Sequence, residues 1–340
     1  MRHRNSKKRA FTIVELLTVM GVIALLIGLL VPALNMVRKQ AKDTKQRAQF
    51  NSIKAGLEMF RTDNGDYPES TAMGAAGTTH NLAVAEVTTG AQHLAEALLG
   101  RDLQGFDTLS TGNASVDDAG ADAQKIYANT VSRGSSTTEV TDSLARRKGP
   151  YLDLEGVGAF SINQLYPSSY ATGNVYGVAN TATPASDKPS PFITDVFADR
   201  TVTVTYTSAG VTTSVNLKAG TPVLYYRANA TNKDLRKTTP PATGYTDRTY
   251  NYYDNKAIMD MGKMMTQSTP PVTTTTDPGF HPLADITNNY LKFYEAITNH
   301  QIPNDEGVAY RADTYILMSA GRDGLFGTAD DIYNFGEKTQ

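Results

Sequence analysis

From Leu16 to Val37 the chain runs for 22 residues without a charge, directly after five cations at Arg2, Arg4, Lys7, Lys8 and Arg9. No other feature of the 340 residues restricts the fold so strongly. About 20 apolar residues in a helix span the hydrocarbon core of a bilayer. A Lys/Arg cluster beside such a helix stays on the cytoplasmic side. The expectation is a single-pass anchor with a cytoplasmic N-terminus and the bulk of the chain outside. That bulk is different in character. The whole chain is 40% hydrophobic and 19% charged with a net charge of −2, and without the five leading cations the balance is −7. A mildly acidic, Thr-, Ala- and Gly-rich remainder of this length buries a real core and gives no reason to expect nucleic-acid binding. There is no cysteine, hence no disulfide and no thiolate site.

Two plain readings of the apolar run are a secretory signal peptide and a simple anchor. A signal peptide has an apolar region of about 7–15 residues that ends in a small-residue cleavage site. Here the run passes without a break into Asn35-Met36-Val37-Arg38-Lys39-Gln40-Ala41-Lys42, which reads as more helix. Against the simple anchor stands Glu15, inside the apolar stretch. A carboxylate in lipid is costly and usually has a partner.

The segment Arg9-Ala10-Phe11-Thr12-Ile13-Val14-Glu15-Leu16-Leu17 resembles the cleavage and methylation motif of type IV prepilins. The resemblance implies a cut between Ala10 and Phe11 by a prepilin peptidase, followed by methylation of the new amino terminus. That family usually has Gly where this chain has Ala10. It further implies that Glu15 meets the freed Phe11 amine of a neighbouring subunit, so that each charge makes burial of the other tolerable. Pro32 removes one helix hydrogen bond and crowds the preceding turn. By resemblance it marks the end of a segment that loosens when subunits pack; the plain reading of Gly21, Gly28 and Pro32 is an ordinary membrane helix with a kink.

Beyond Pro32 the apolar residues Phe50, Ile53, Leu57 and Phe60 recur at helical spacing, with Lys45, Arg47, Gln49 and Lys54 largely off that stripe. One helix is therefore predicted from Phe11 to about Arg61, roughly 75 Å at 1.5 Å per residue. Asp63-Asn64-Gly65-Asp66-Tyr67-Pro68 ends it with turn formers and a proline, in a turn similar to that of the secretion pseudopilins. Further on, residues 91–99 read as a helix stopped by Gly100, and 108–145 as a loop or weakly ordered insertion. Thr201–Tyr206 and Val211–Leu217 read as a β-hairpin, 222–226 as a buried strand, and 290–297 as a short helix. Thr238–Tyr245 and Thr266–Pro278 read as Thr/Pro-rich loops. The tyrosines of Thr249–Tyr253 read as packing residues in preference to a sugar or partner site. No phosphate loop or His-Glu-x-x-His helix is present and the five histidines are scattered, so no enzyme is expected.

At the C-terminus a strand over 313–318 feeds Ser319-Ala-Gly-Arg-Asp323-Gly-Leu-Phe-Gly-Thr-Ala-Asp330-Asp331-Ile332. Read alone, this is a polar turn. Ca²⁺ takes 6–8 oxygens from carboxylates, carbonyls and water, and a Gly-rich loop with three aspartates offers them, though not at EF-hand spacing. The loop resembles the calcium loop of the major pseudopilin of type II secretion. That resemblance assigns Asp323, Asp330 and Asp331 as side-chain ligands of a structural Ca²⁺, with carbonyls near Ala320 and Leu325.

The resemblance covers about 9–68 and 312–335 and implies an α+β pilin fold, a long N-terminal helix packed on a C-terminal antiparallel β-sheet domain. Its parts are a basic leader (1–10), a membrane and filament-core helix (11–37), an amphipathic continuation (38–62), a globular domain with a large insertion (63–311), and the C-terminal strand with its Asp-rich loop (312–340). The implied protein is a structural subunit of a type II secretion pseudopilus, drawn from the bacterial inner membrane with its globular domain periplasmic. Its implied partners are further copies of itself, minor pseudopilins, the prepilin peptidase, the inner-membrane assembly platform and membrane lipid. The alternatives are a type IV pilus subunit for adhesion, motility or DNA uptake, and a membrane-tethered ligand-binding protein. Many pilus subunits carry a C-terminal disulfide loop; an Asp loop in its place favours the pseudopilus.

Overall fold

The computed structural model describes residues 12–74, 87–117, 125–128, 136–154, 156–166, 175, 190–198, 200–208, 211–235, 248–264, 279–284, 289–302 and 307–336. Ala10 and Phe11, and the loops expected at 238–245 and 266–278, lie outside them. The chain forms two compact units, Met1–Lys45 and Gln46–Gln340.

Helix α1 spans Ile13–Asn64 and runs unbroken through Pro32. By length and composition it is able to cross a membrane. Within the first unit every apolar side chain from Ile13 to Val37 is exposed. Gln46 onward belongs to the second unit. There Phe50, Ile53, Leu57 and Phe60 are buried, as their spacing predicts. The stripe is wider than apolar residues alone suggest. Gln49, expected off it, is buried and donates to the Thr194 carbonyl at 2.8 Å, and buried Gln46 accepts from the Val196 N–H at 2.9 Å. Both amides satisfy strand-end backbone groups that burial would otherwise leave costly. The predicted turn follows. Gly65, at φ +91°, reverses the chain, and the Pro68 carbonyl accepts from the buried Tyr225 hydroxyl at 2.7 Å.

The remaining strands are β1 (Met73–Gly74), β2 (Val87–Thr88), β3 (Phe106–Asp107), β4 (Arg147–Lys148), β5 (Gly158–Ser161), β6 (Pro191–Thr194), β7 (Arg200–Ser208), β8 (Val211–Ala219), β9 (Leu224–Arg227), β10 (Tyr315–Ser319) and β11 (Ile332–Tyr333). All pairings between them are antiparallel: β1 with β2, β3 with β4, β5 with β6, β7 with β8, and β11-β10-β9 in one sheet. The β5–β6 pair joins the three-stranded sheet through the Val223 N–H to Ile193 carbonyl and the Asp195 N–H to Thr221 carbonyl, both 2.8 Å.

This central sheet is buried on both faces. Successive strand residues point to opposite sides, so Val223, Tyr225, Tyr315, Leu317 and Ile332 join one core with the α1 stripe and with Leu94, Ala95 and Leu98 of α2 (Gly90–Leu99). Leu224, Tyr226, Ile316, Met318 and Tyr333 join a second core. It is closed by Ile258 of α6 (Lys256–Asp260), by Phe293, Tyr294 and Ile297 of α7 (Asn289–Ile297), and by Tyr250 and Tyr252. Tyr250 and Tyr252 are thus packing residues, and α2, β9, α7 and β10 form where the sequence predicts them.

The described residues of 108–145 depart from the loop expected there. They contain α3 (Ala114–Asp117) and α4 (Thr137–Arg146); the four-residue α5 (Ile162–Leu165) follows later in the chain. Ser136 caps α4 by accepting from the Glu139 N–H at 3.2 Å. The helix docks through charge: Ser143 donates to Asp107 at 2.8 Å and Arg146 at 3.2 Å. A polar composition concealed it because polar contacts, not an apolar face, seat it.

Candidate functional site

At the start of α1, Thr12 and Glu15 form a reciprocal cap. The Glu15 carboxylate accepts from the Thr12 N–H at 3.0 Å and from its hydroxyl at 2.9 Å, and the Thr12 hydroxyl accepts from the Glu15 N–H at 3.2 Å. This is a capping box, which satisfies backbone donors that a helix leaves unpaired at its start. Thr-x-x-Glu before an apolar run signals this local role, which stands beside the neighbouring-subunit partner that the resemblance implies for Glu15. The two roles are compatible, since a carboxylate has lone pairs for several donors. Further along α1, Pro32 lacks the N–H that would bond the Gly28 carbonyl.

The C-terminal loop sits between β10 and β11. Asp330 accepts from the Arg322 N–H at 2.6 Å, the Asp323 N–H at 3.1 Å and the Thr328 hydroxyl at 2.7 Å. Its carboxyl meets that of Asp323. Burial and the neighbouring Asp330 charge push the Asp323 carboxyl above the usual range. Burial opposes ionisation of Asp330 too, but the Thr328 hydroxyl and the two N–H groups hold it below. Close approach of the chain at Gly321 makes this possible: a Cβ there would lie 2.3 Å from the Asp330 carbonyl oxygen, at φ +68°. Asp331 does not join the pair. Its carboxylate accepts from the Gly327 N–H at 2.9 Å and lies 3.4 Å from the Tyr333 hydroxyl. Among the described residues no group of three or more His, Asp or Glu side chains is gathered as at a metal centre.

Two residues of the middle segment hold this loop, and nothing in the sequence signals either. His281 is fully buried, and its Nδ1 accepts from the Phe326 N–H at 3.1 Å. Burial pulls its pKa down to about 3, so it is the neutral tautomer that accepts. Lys263 donates to the Asp323 carbonyl at 2.5 Å.

Neither a protein-family model nor a solved structure matches this chain. Over 92 residues, 26% of this chain and 69% of the relative, it is 36% identical to the type IV wide pilus major component PilA4 of Thermus thermophilus. Taken with a long N-terminal helix set on antiparallel strands, that likeness shows that the chain belongs to the type IV pilin family.

Proposed function

We propose that the chain is a secretion pseudopilin: cut between Ala10 and Phe11, N-methylated, anchored in the bacterial inner membrane with the globular unit periplasmic, and drawn into a type II secretion pseudopilus by the assembly platform. The observation that carries this is the pairing of a run of exposed apolar side chains, Ile13 to Val37, with a carboxylate, Glu15, at its start. Such a surface needs lipid or other helices to cover it, and a filament of like subunits supplies both in turn. The role is structural, not enzymatic. The alternative of a pilus subunit draws support from the relative, a pilus major component. The Asp loop and the lack of cysteine favour the pseudopilus. The test is the N-terminal residue and mass of the protein recovered from its native envelope. N-methylated Phe11 is expected; a chain still carrying Met1–Ala10 would leave a plain anchor and a tethered receptor in its place.

We further propose that the Asp loop takes one structural Ca²⁺. Asp323 and Asp330 fit it, because two carboxyls in contact need either a shared proton or a cation between them. Asp331 would brace the loop through Gly327 unless it turns inward on binding. Bound only by the folded state, calcium at 100-fold above its Kd adds about 2.7 kcal/mol. The wild-type chain is expected to melt higher in calcium than in chelator, with the difference gone in Asp330→Asn. Identical wild-type melting curves would dismiss the site.

A further inference from the structure

We infer that the β7–β8 hairpin is a docking surface for a second copy of this chain, the outer edge of β8 in one subunit adding to the outer edge of β7 in the next. Nine residue pairs run without a bulge from Arg200↔Ala219 to Ser208↔Val211. Among the described residues β7 and β8 pair with each other and with no third strand. Val211 to Lys218 of β8 are exposed or half-buried along the whole strand, with Val211 65%, Val215 40% and Leu217 42% exposed. The hairpin is tied in through its lower part: Val202 and Ala219 enter the second core, Val204 packs half-buried against it, and Arg200 donates to the Leu165 carbonyl at 2.6 Å.

A two-stranded ribbon is marginal by itself in water, and a free edge offers a row of N–H and C=O groups to any strand of matching length. Soluble proteins blunt such edges with charge, proline or bulges. From Thr201 to Leu217 this hairpin has no charge, no proline and no break in register.

The occupant is a second copy, and this part of the argument rests on the self-assembly of the family. Pilin subunits stand side by side at high local concentration, so a weak edge becomes an effectively intramolecular one. The β8 and β7 edges that would meet carry no charge between 201 and 217, so no like charges oppose the contact. Stacking by translation also continues the alternation, since β7 of the next subunit meets β8 antiparallel. Such a contact uses different surfaces on its two sides and propagates along a filament without closing.

The chain has no native cysteine, which makes the test direct. Two full-length single variants, Thr205→Cys and Ser214→Cys, both at exposed positions, are co-expressed, and filaments are sheared off and mildly oxidised. A reducible dimer is expected from the mixture and not from either variant alone. A dimer from Ser214→Cys alone would mean β8 meets β8, and filaments with no cross-link would mean the hairpin is not an interface; either overturns the proposal while leaving self-assembly intact. Failure to find filaments in the wild type would sink both. As a second measurement, a chain carrying Val215→Lys and Thr213→Lys should fold with an unchanged Tm yet yield fewer or shorter filaments. Wild-type filament yield and length from that chain would also overturn the assignment.

Discussion

A Glu15→Leu chain is expected to insert in the membrane and to fold its globular unit, yet to be lost from filaments. The globular unit begins at Gln46, so a change at Glu15 leaves its cores untouched. What changes is the start of α1. In the single subunit Glu15 closes a capping box with Thr12. In a filament the resemblance gives it a second partner, the Phe11 amine of a neighbour. A cap is worth about 1 kcal/mol, whereas a buried charge left without its partner costs about 3–5 kcal/mol. Glu15→Gln separates the two roles. Gln keeps the acceptor that a capping box requires but carries no charge. Assembly lost in both variants, read as sheared filament protein against total membrane protein, assigns the carboxylate to the neighbour. Normal assembly of Glu15→Gln would leave capping as the whole role. Normal assembly of Glu15→Leu would remove Glu15 from filament formation.

The second large effect lies in the globular unit. Arg101 is buried, with its Nε 3.1 Å from Glu96, its Nη2 on Asp117, the Ser110 hydroxyl at 3.2 Å and the Tyr127 ring beneath it, the guanidinium carbon standing 5.1 Å from the ring centroid. Glu96 and Asp117 are themselves nearly inaccessible. Arg101→Met keeps much of the side-chain volume and removes the cation between two buried carboxylates. The expected loss is about 3–5 kcal/mol, the usual cost of breaking a buried pair by deleting one partner. Urea unfolding of the full chain in detergent, followed through tyrosine signals of the globular unit, measures it. A loss below about 1 kcal/mol would show that the network sets orientation and adds little to stability.

This network and the second core show what the middle of the chain does. A sheet packed on one helix needs one apolar face, and the other is free to face water. Here both faces of β9 and β10 are apolar, and the far face is covered by α6, α7 and the tyrosines near 250. Part of the long middle segment is therefore a second layer, and the segment also supplies His281 and Lys263 to the C-terminal loop. Its removal is not equivalent to trimming a surface loop.

What the residues determine by themselves is whatever depends on local pattern. The anchor follows from an uninterrupted apolar run, the stripe of α1 from helical spacing, the end of that helix from Asn64-Gly65, and the β7–β8 hairpin from alternation on either side of a turn. Each rests on interactions within a few residues or with bulk solvent and lipid. What only the tertiary structure decides depends on partners far apart in the chain. Gln46 and Gln49 belong to the buried face because the strand ends at Thr194 and Val196 arrive there to use them. The α4 helix exists because Asp107 receives it, and Asp323 and Asp330 come together while Asp331 turns away because of how the loop closes at Gly321. Polar pairing of this kind leaves no periodic trace in a sequence: a hydrogen bond needs one donor and one acceptor at about 3 Å, and any fold that brings them there will do.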